Sequence, residues 1–185
     1  PLELSSAASD VYKRQDTMYI TDTDMNDAWM PGELIPYGDM KISPAAGVLN
    51  YGQGLFEGMK AYRTSKDRVV FFRPEENARR MQRGADRLKM PPVPESIFVD
   101  AVEQCVQANL RWLPPMGRGA MYVRPLLMGS GPILGVAPAP SYRFLVYVTP
   151  VGPYFKGGVK TIDLLISDIY HLSLIHISEP TRRLC

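Results

Sequence analysis

The sequence predicts an α+β domain in which the helices are segregated from the sheet. Three observations lead there. Runs rich in β-branched and aromatic residues recur at 69–72 (VVFF), 119–128 (GAMYVRPLLM) and 143–150 (RFLVYVTP), the composition of half-buried strands. Two helical stripes lie between the first two runs, bounded by proline clusters. Turn residues at Gly38-Asp39 and Ser65-Lys66-Asp67 separate short runs as hairpin turns do.

In chain order, Met18-Tyr19-Ile20 is a short strand and 22–27 an acidic turn. Aspartates at 22, 24 and 27 have the look of a calcium loop but lack its glycine and closing glutamate, so a solvated turn is expected. Residues 32–37 and 40–43 read as a hairpin about Gly38-Asp39. Ser43-Pro44 then opens a helical turn, Ser as cap and Pro as first residue. Residues 56–63 and 69–73 form a second hairpin. After Pro74, Ala78, Met81, Ala85 and Leu88 fall on one helical stripe, which Pro91, Pro92 and Pro94 end. A second helix over 95–112 has Phe98, Ala101, Val102, Cys105 and Trp112 as its core stripe, making Cys105 a small buried hydrophobe. On the strand 119–128, Tyr122 and Arg124 are two apart and share a face. An unpaired arginine buried there would cost several kcal/mol, so Arg124 either reaches solvent or meets an anion. Residues 129–140 are a Gly/Pro/Ala loop, and 143–150 and 160–167 are inner strands.

Bulk properties narrow the function classes. The chain has 185 residues, 45% of them hydrophobic and 22% charged, enough for a real core. A net charge of +2 gives no electrostatic reason to expect nucleic acid. No apolar run is long enough for a membrane helix. Two cysteines, Cys105 and Cys185, make neither a disulfide framework nor a zinc cluster.

The ends read differently. Residues 10–15 (DVYKRQ) can be encoded by GAT GTG TAT AAG AGA CAG, whose reverse complement encodes LSLIHI, the sequence of residues 172–177. The codons resemble a transposase adapter used in library preparation. Residues 1–15 and 172–185 are therefore expected to be non-native tails, with 16–155 a small domain and 156–171 a connection to the start of a larger one. The native N-terminus is then missing, which leaves plastid, mitochondrion and cytosol open.

The stretch 50–73 (NYGQGLFEGMKAYRTSKDRVVFFR) organises the candidate site. An arginine ending a strand just before a helix, as Arg73 does, suits an anion such as phosphate. The same stretch fails as a P-loop, because Met59 intervenes and Ala61 follows Lys60. No dinucleotide fingerprint and no metal-ligand spacing is present.

The blocks 49–62 (LNYGQGLFEGMKAY), 72–77 (FRPEEN), 122–125 (YVRP) and 150–155 (PVGPYF), in this order, resemble the branched-chain amino acid aminotransferases. These are pyridoxal 5'-phosphate enzymes of fold type IV, and the Tyr-Gly-Gln-Gly-Leu wording is nearest to eukaryotic and plant-like members. The resemblance covers essentially all of 16–171. It implies the small, N-terminal domain of such an enzyme, truncated before most of the large domain. Arg73 matches the arginine that binds the cofactor phosphate. Tyr122 and Arg124 match the pair on the substrate-carboxylate side. Tyr51, Phe56 and Tyr154 match residues lining the pocket for the branched side chain. Leu134 and Val136 match a loop that reaches the neighbouring subunit's site, which implies a homodimer.

The implied reaction exchanges an amino group between leucine, isoleucine or valine and 2-oxoglutarate. Gly157-Gly158-Val159-Lys160 has the wording of the family's catalytic-lysine segment. Its register is wrong, because in the family that lysine follows the segment that 168–171 matches. Lys160 is therefore expected to be a solvated strand-edge residue, the Schiff-base lysine to lie beyond the fragment, and this chain to be inactive. The alternatives are a D-amino acid aminotransferase, an aminodeoxychorismate lyase, or a catalytically silent binding module of the same fold.

Overall fold

Alternation of side chains along the strands and helical stripes between them produce a two-layer α/β unit in the computed structural model, which describes residues 15–24 and 29–152. The elements in order are β1 (Thr17–Asp24), β2 (Glu33–Pro36), α1 (Gly47–Tyr51), β3 (Gly54–Phe56), β4 (Met59–Arg63), β5 (Val69–Phe71), α2 (Pro74–Arg87), α3 (Glu95–Ala108), β6 (Ala120–Gly129) and β7 (Ser141–Val151). One antiparallel sheet runs β2-β1-β7-β6-β4-β5, with β3 also paired to β6.

The period of two gives the sheet a covered face and an open face. Met121, Val123 and Leu127 of β6 and Phe144, Val146 and Val148 of β7 point into the covered face. There they meet Met81 and Ala85 of α2 and Phe98, Val102 and Cys105 of α3. Phe98 stacks on Phe144 with ring centroids 5.8 Å apart. Each fully buried aromatic or aliphatic side chain of this kind contributes about 1.5–3 kcal/mol, so this layer dominates stability. Tyr122, Arg124 and Leu126 stand on the open face, opposite Thr149, Tyr147 and Leu145. The sheet ends in the three-residue β5, beside which Phe72 is 79% exposed.

Five sequence expectations are corrected. Residues 40–43 form no strand, and β2 pairs with β1 instead. The free edge of β1 offers a ladder that the Tyr37 N–H extends by donating to the Asp16 carbonyl at 2.9 Å. The acidic turn is strand as far as Asp24, since Asp22 lies opposite Arg143 and accepts from it at 2.7 and 2.8 Å. The second long helix stops at Ala108, and Trp112 sits in a separate 3-10 turn, Leu110–Trp112. Leu88 is an exposed C-cap rather than core; Lys89, at φ 55°, turns the chain so that Met90 is buried in its place.

The expected strand 56–63 is broken at Glu57-Gly58 although its register with β6 continues. Pro125 lies opposite the break. It accepts the Glu57 N–H at 2.9 Å but has no N–H to return.

Asn109, wholly buried, secures the end of α3 to the start of β1. Its Oδ1 accepts the Asp16 and Thr17 N–H groups at 2.7 and 3.2 Å, and its Nδ2 donates to the Thr17 and Cys105 carbonyls at 3.0 and 2.7 Å. Gln15, at the boundary of the adapter-like tail, is also buried and accepts the Val148 N–H at 2.9 Å. Among the described residues no helix is long and apolar enough to cross a membrane, and no cluster of potential metal ligands forms.

Candidate functional site

The residues singled out in the sequence fall into three places. The first is on the open face. The Arg124 guanidinium donates to the Tyr122 hydroxyl at 2.9 Å and lies 4.1 Å from the centre of the Phe56 ring. The alternation of β6 puts Tyr122 and Arg124 on this face, and the β3–β6 register brings Phe56 opposite Leu126 beside them. Arg124 is therefore neither buried alone nor simply solvated. A hydroxyl and an aromatic face hold its plane, leaving N–H groups to receive a carboxylate.

Beside this cluster is a cavity of about 550 Å³ lined by Met18, Tyr37, Tyr122, Arg124, Leu126 and Tyr147, among others. Its walls are mainly aromatic and aliphatic, with Arg124 as the one charged group among the lining residues. Such a lining takes an apolar side chain and orients it by a single anionic end. Tyr37 and Tyr147 approach with ring centroids 6.3 Å apart. Burial holds the Tyr147 phenol above the ordinary tyrosine range, against the pull of Arg124 across the strand pair.

The second place is the end of α1. Tyr51 is the last residue of that helix, and its hydroxyl accepts the Gly135 N–H at 2.7 Å. Leu134 and Val136, on either side of Gly135, are 83% and 99% exposed. The loop carrying them is fixed at other points too. Ile133 N–H donates to the Ala45 carbonyl at 2.8 Å, and Ala139 N–H donates to Gln53 Oε1 at 3.0 Å. Two apolar side chains thus project from a tethered backbone.

Arg73 is the third. It stands as the N-cap of α2 in the left-handed region (φ 49°, ψ 56°), with Pro74 as first helical residue. Its side chain is 65% exposed and meets Glu76 at 3.3 Å. An exposed cation at a helix N-terminus adds to the partial positive charge there, and the strained backbone fits a position held for function. Tyr154 and Lys160 lie outside the described residues.

Gln53 and Tyr147 were missed in the sequence, and Gly58, legible there as a point of close backbone approach, has Tyr122 rather than a ligand above it. Gly58 makes room for Tyr122, since a Cβ there would lie 2.3 Å from the Tyr122 hydroxyl. Gln53 holds the exposed loop. Tyr147 lines the cavity. The one available signal was Tyr147, an aromatic with a polar tip on the run RFLVYVTP.

No family model matches the chain. Its sequence is 55% identical over 156 residues to branched-chain amino acid aminotransferase 2, chloroplastic, of Humulus lupulus, covering 84% of this chain and 38% of that protein. It is 53% identical over 160 residues to branched-chain-amino-acid aminotransferase 3, chloroplastic, of Arabidopsis thaliana, covering 86% and 39%. A methionine aminotransferase of Arabidopsis thaliana is 46% identical over 157 residues, covering 85% and 44%. Among solved structures, the T.th. branched-chain amino acid aminotransferase with pyridoxamine 5'-phosphate superimposes with a TM-score of 0.61 at 26% identity, over 77% of this chain and 42% of that one. The chain spans roughly two fifths of the length of these proteins, and within that span it belongs to the branched-chain amino acid aminotransferase family.

Proposed function

We propose that this chain is the small-domain part of a branched-chain aminotransferase and supplies the wall of the substrate pocket together with one anchor for the cofactor phosphate. The observation that carries the reading is the Phe56–Tyr122–Arg124 cluster beside an apolar cavity. The substrate carboxylate meets Arg124 and the Tyr122 hydroxyl, and the aliphatic side chain lies against Phe56 and the neighbouring aromatic wall. Each methylene buried in such a pocket is worth about 1–3 kcal/mol in selectivity. The whole protein exchanges the amino group of leucine, isoleucine or valine with 2-oxoglutarate. Tyr51, Leu134 and Val136 complete the pocket in a homodimer, the last two reaching the neighbouring subunit.

Pyridoxal 5'-phosphate supplies the electron sink for amino transfer when bound. The residues present fit one part of it. Arg73 is an exposed guanidinium at the start of α2 whose ion pair among the described residues is with the half-exposed Glu76, so a phosphate can displace that contact. The lysine and the acid that the cofactor also requires are assigned to the part of the protein that follows, and 1–15 and 172–185 to translated adapter. Genomic sequencing across both junctions tests the last point; finding both ends encoded in the genome would refute it.

The functional reading is tested on the chain itself. Titration with pyridoxamine 5'-phosphate, followed by amide resonances, is expected to perturb Arg73 and the first turn of α2, and Arg73→Ala to abolish that response. An unchanged response in Arg73→Ala removes the phosphate anchor. Measurable transamination of leucine by the chain overturns its assignment as inactive.

A further inference from the structure

Glu57 is the one buried acidic or basic side chain among the described residues, with 6% of its surface exposed. It leaves the strand on the covered face, while Phe56 before it stands on the open face under Arg124. Gly58 after it lies beneath the Tyr122 hydroxyl. The carboxylate is fully engaged with α2. Oε1 accepts Arg80 Nε at 2.6 Å, and Oε2 accepts Arg80 Nη2 at 2.5 Å and Asn77 Nδ2 at 2.8 Å. The same Asn77 amide reaches the Gly58 carbonyl at 3.4 Å.

Spacing gives this arrangement its meaning. Asn77 and Arg80 are three residues apart on one face of α2, and Asn77 sits in its first turn, next to the cap residue Arg73. A bidentate guanidinium–carboxylate pair fixes orientation as well as distance. Stability alone is a poor reason to bury a carboxylate, because its desolvation offsets most of what the pair returns. We propose that Glu57 is a positioning residue: through Asn77 and Arg80 it sets where the start of α2, and hence the Arg73 guanidinium, stands relative to the Phe56–Tyr122–Arg124 cluster. One peptide segment thereby registers the phosphate end of the site to the substrate end. The inference rests on the reading of Arg73 as the phosphate anchor.

The test is the pyridoxamine 5'-phosphate titration on the full 185-residue chain, with Arg73 Nε–H and the amides of Glu75 and Glu76 as reporters. Glu57→Gln keeps the shape but turns an amide N–H toward Arg80. It is expected to weaken binding by about tenfold and to shift the Arg73 Nε–H resonance before ligand is added. Arg80→Lys, at a largely exposed position, forfeits the two-pronged contact without threatening the fold and is expected to act in the same direction. Val102→Ala, a cavity in α3, is expected to lower the melting temperature and leave binding unchanged. Loss of binding in Glu57→Gln or Arg80→Lys but not in Val102→Ala supports the role. Unchanged binding in Arg80→Lys and in any folded Glu57→Gln overturns it, as does equal weakening in Val102→Ala. If Arg73→Ala itself leaves binding intact, the anchor reading has failed, and that result is distinguishable from failure of the Glu57 linkage alone.

Discussion

A Cβ placed on Gly58 would lie 2.3 Å from the Tyr122 hydroxyl and 3.0 Å from its ring carbon Cζ. The half-buried Tyr122 is thus seated by an absent side chain at the break between β3 and β4. Gly58→Ala must displace the phenol, whose hydroxyl now accepts from the Arg124 guanidinium at 2.9 Å. Because the clash meets the tip of a half-exposed side chain, the cost in the urea midpoint is expected to stay below about 1 kcal/mol. The Tyr122 ring resonances are expected to shift with it.

Tyr51→Phe separates two roles of one side chain. The ring remains as the proposed pocket wall, and the acceptor for the Gly135 N–H disappears. Because that contact is exposed, stability should change by less than about 1 kcal/mol. Hydrogen exchange at Gly135 is expected to accelerate while Ala139, held by Gln53, keeps its protection. Equal acceleration at both would show that the loop opens as a unit.

Asn109→Ala is expected to be the most damaging polar substitution. It strips acceptors from the Asp16 and Thr17 N–H groups and a donor from the Thr17 and Cys105 carbonyls. Buried groups left unpaired cost about 1–3 kcal/mol each, so a loss of at least about 3 kcal/mol should appear in urea unfolding. Asn109→Asp restores the acceptor but sets a carboxylate against two carbonyl oxygens, and should rescue little.

Cys105 gives the chain an alkaline weakness. Burial pushes its thiol up to about 12 from the ordinary 9.0, and the Sγ–H donates to the Val146 carbonyl at 3.2 Å. The folded pKa is raised, so the stabilisation is complete below the unfolded pKa and is lost as pH climbs toward the folded one. Between roughly pH 9 and 12 the unfolded thiol ionises and the folded one does not, lowering stability by about 1.4 kcal/mol per pH unit. Urea midpoints across that range should fall more steeply for the parent chain than for Cys105→Ala. Burial also raises Tyr19 and Tyr147, so the variant keeps a residual slope.

What could be read in the sequence was whatever is encoded locally. The alternation at 119–128 and the stripe Ala78–Met81–Ala85 depend on neighbours two to four residues away, and the elements appear where those patterns fall. The choice of β1 over residues 40–43 as partner for β2 is a competition between distant edges, which composition does not resolve. Asn109 bonds to residues more than ninety positions earlier, and nothing in its neighbours within the expected helix 95–112 marks it. Within the site, the shared face of Tyr122 and Arg124 was legible from a spacing of two. The guanidinium's seat on Phe56 was not, because it depends on how β3 is registered against β6.

The short strand β5 has a consequence for the chain in isolation. Among the described residues it closes the sheet with three residues, and it leaves Val70 and Phe72 exposed. Unpaired edge amides flanked by exposed apolar side chains form a template onto which another extended chain can pair. A net charge of +2 supplies little repulsion against it. Solubility is therefore limited from this edge, and a lysine in place of Val70 is the smallest change that would keep concentrated solutions clear.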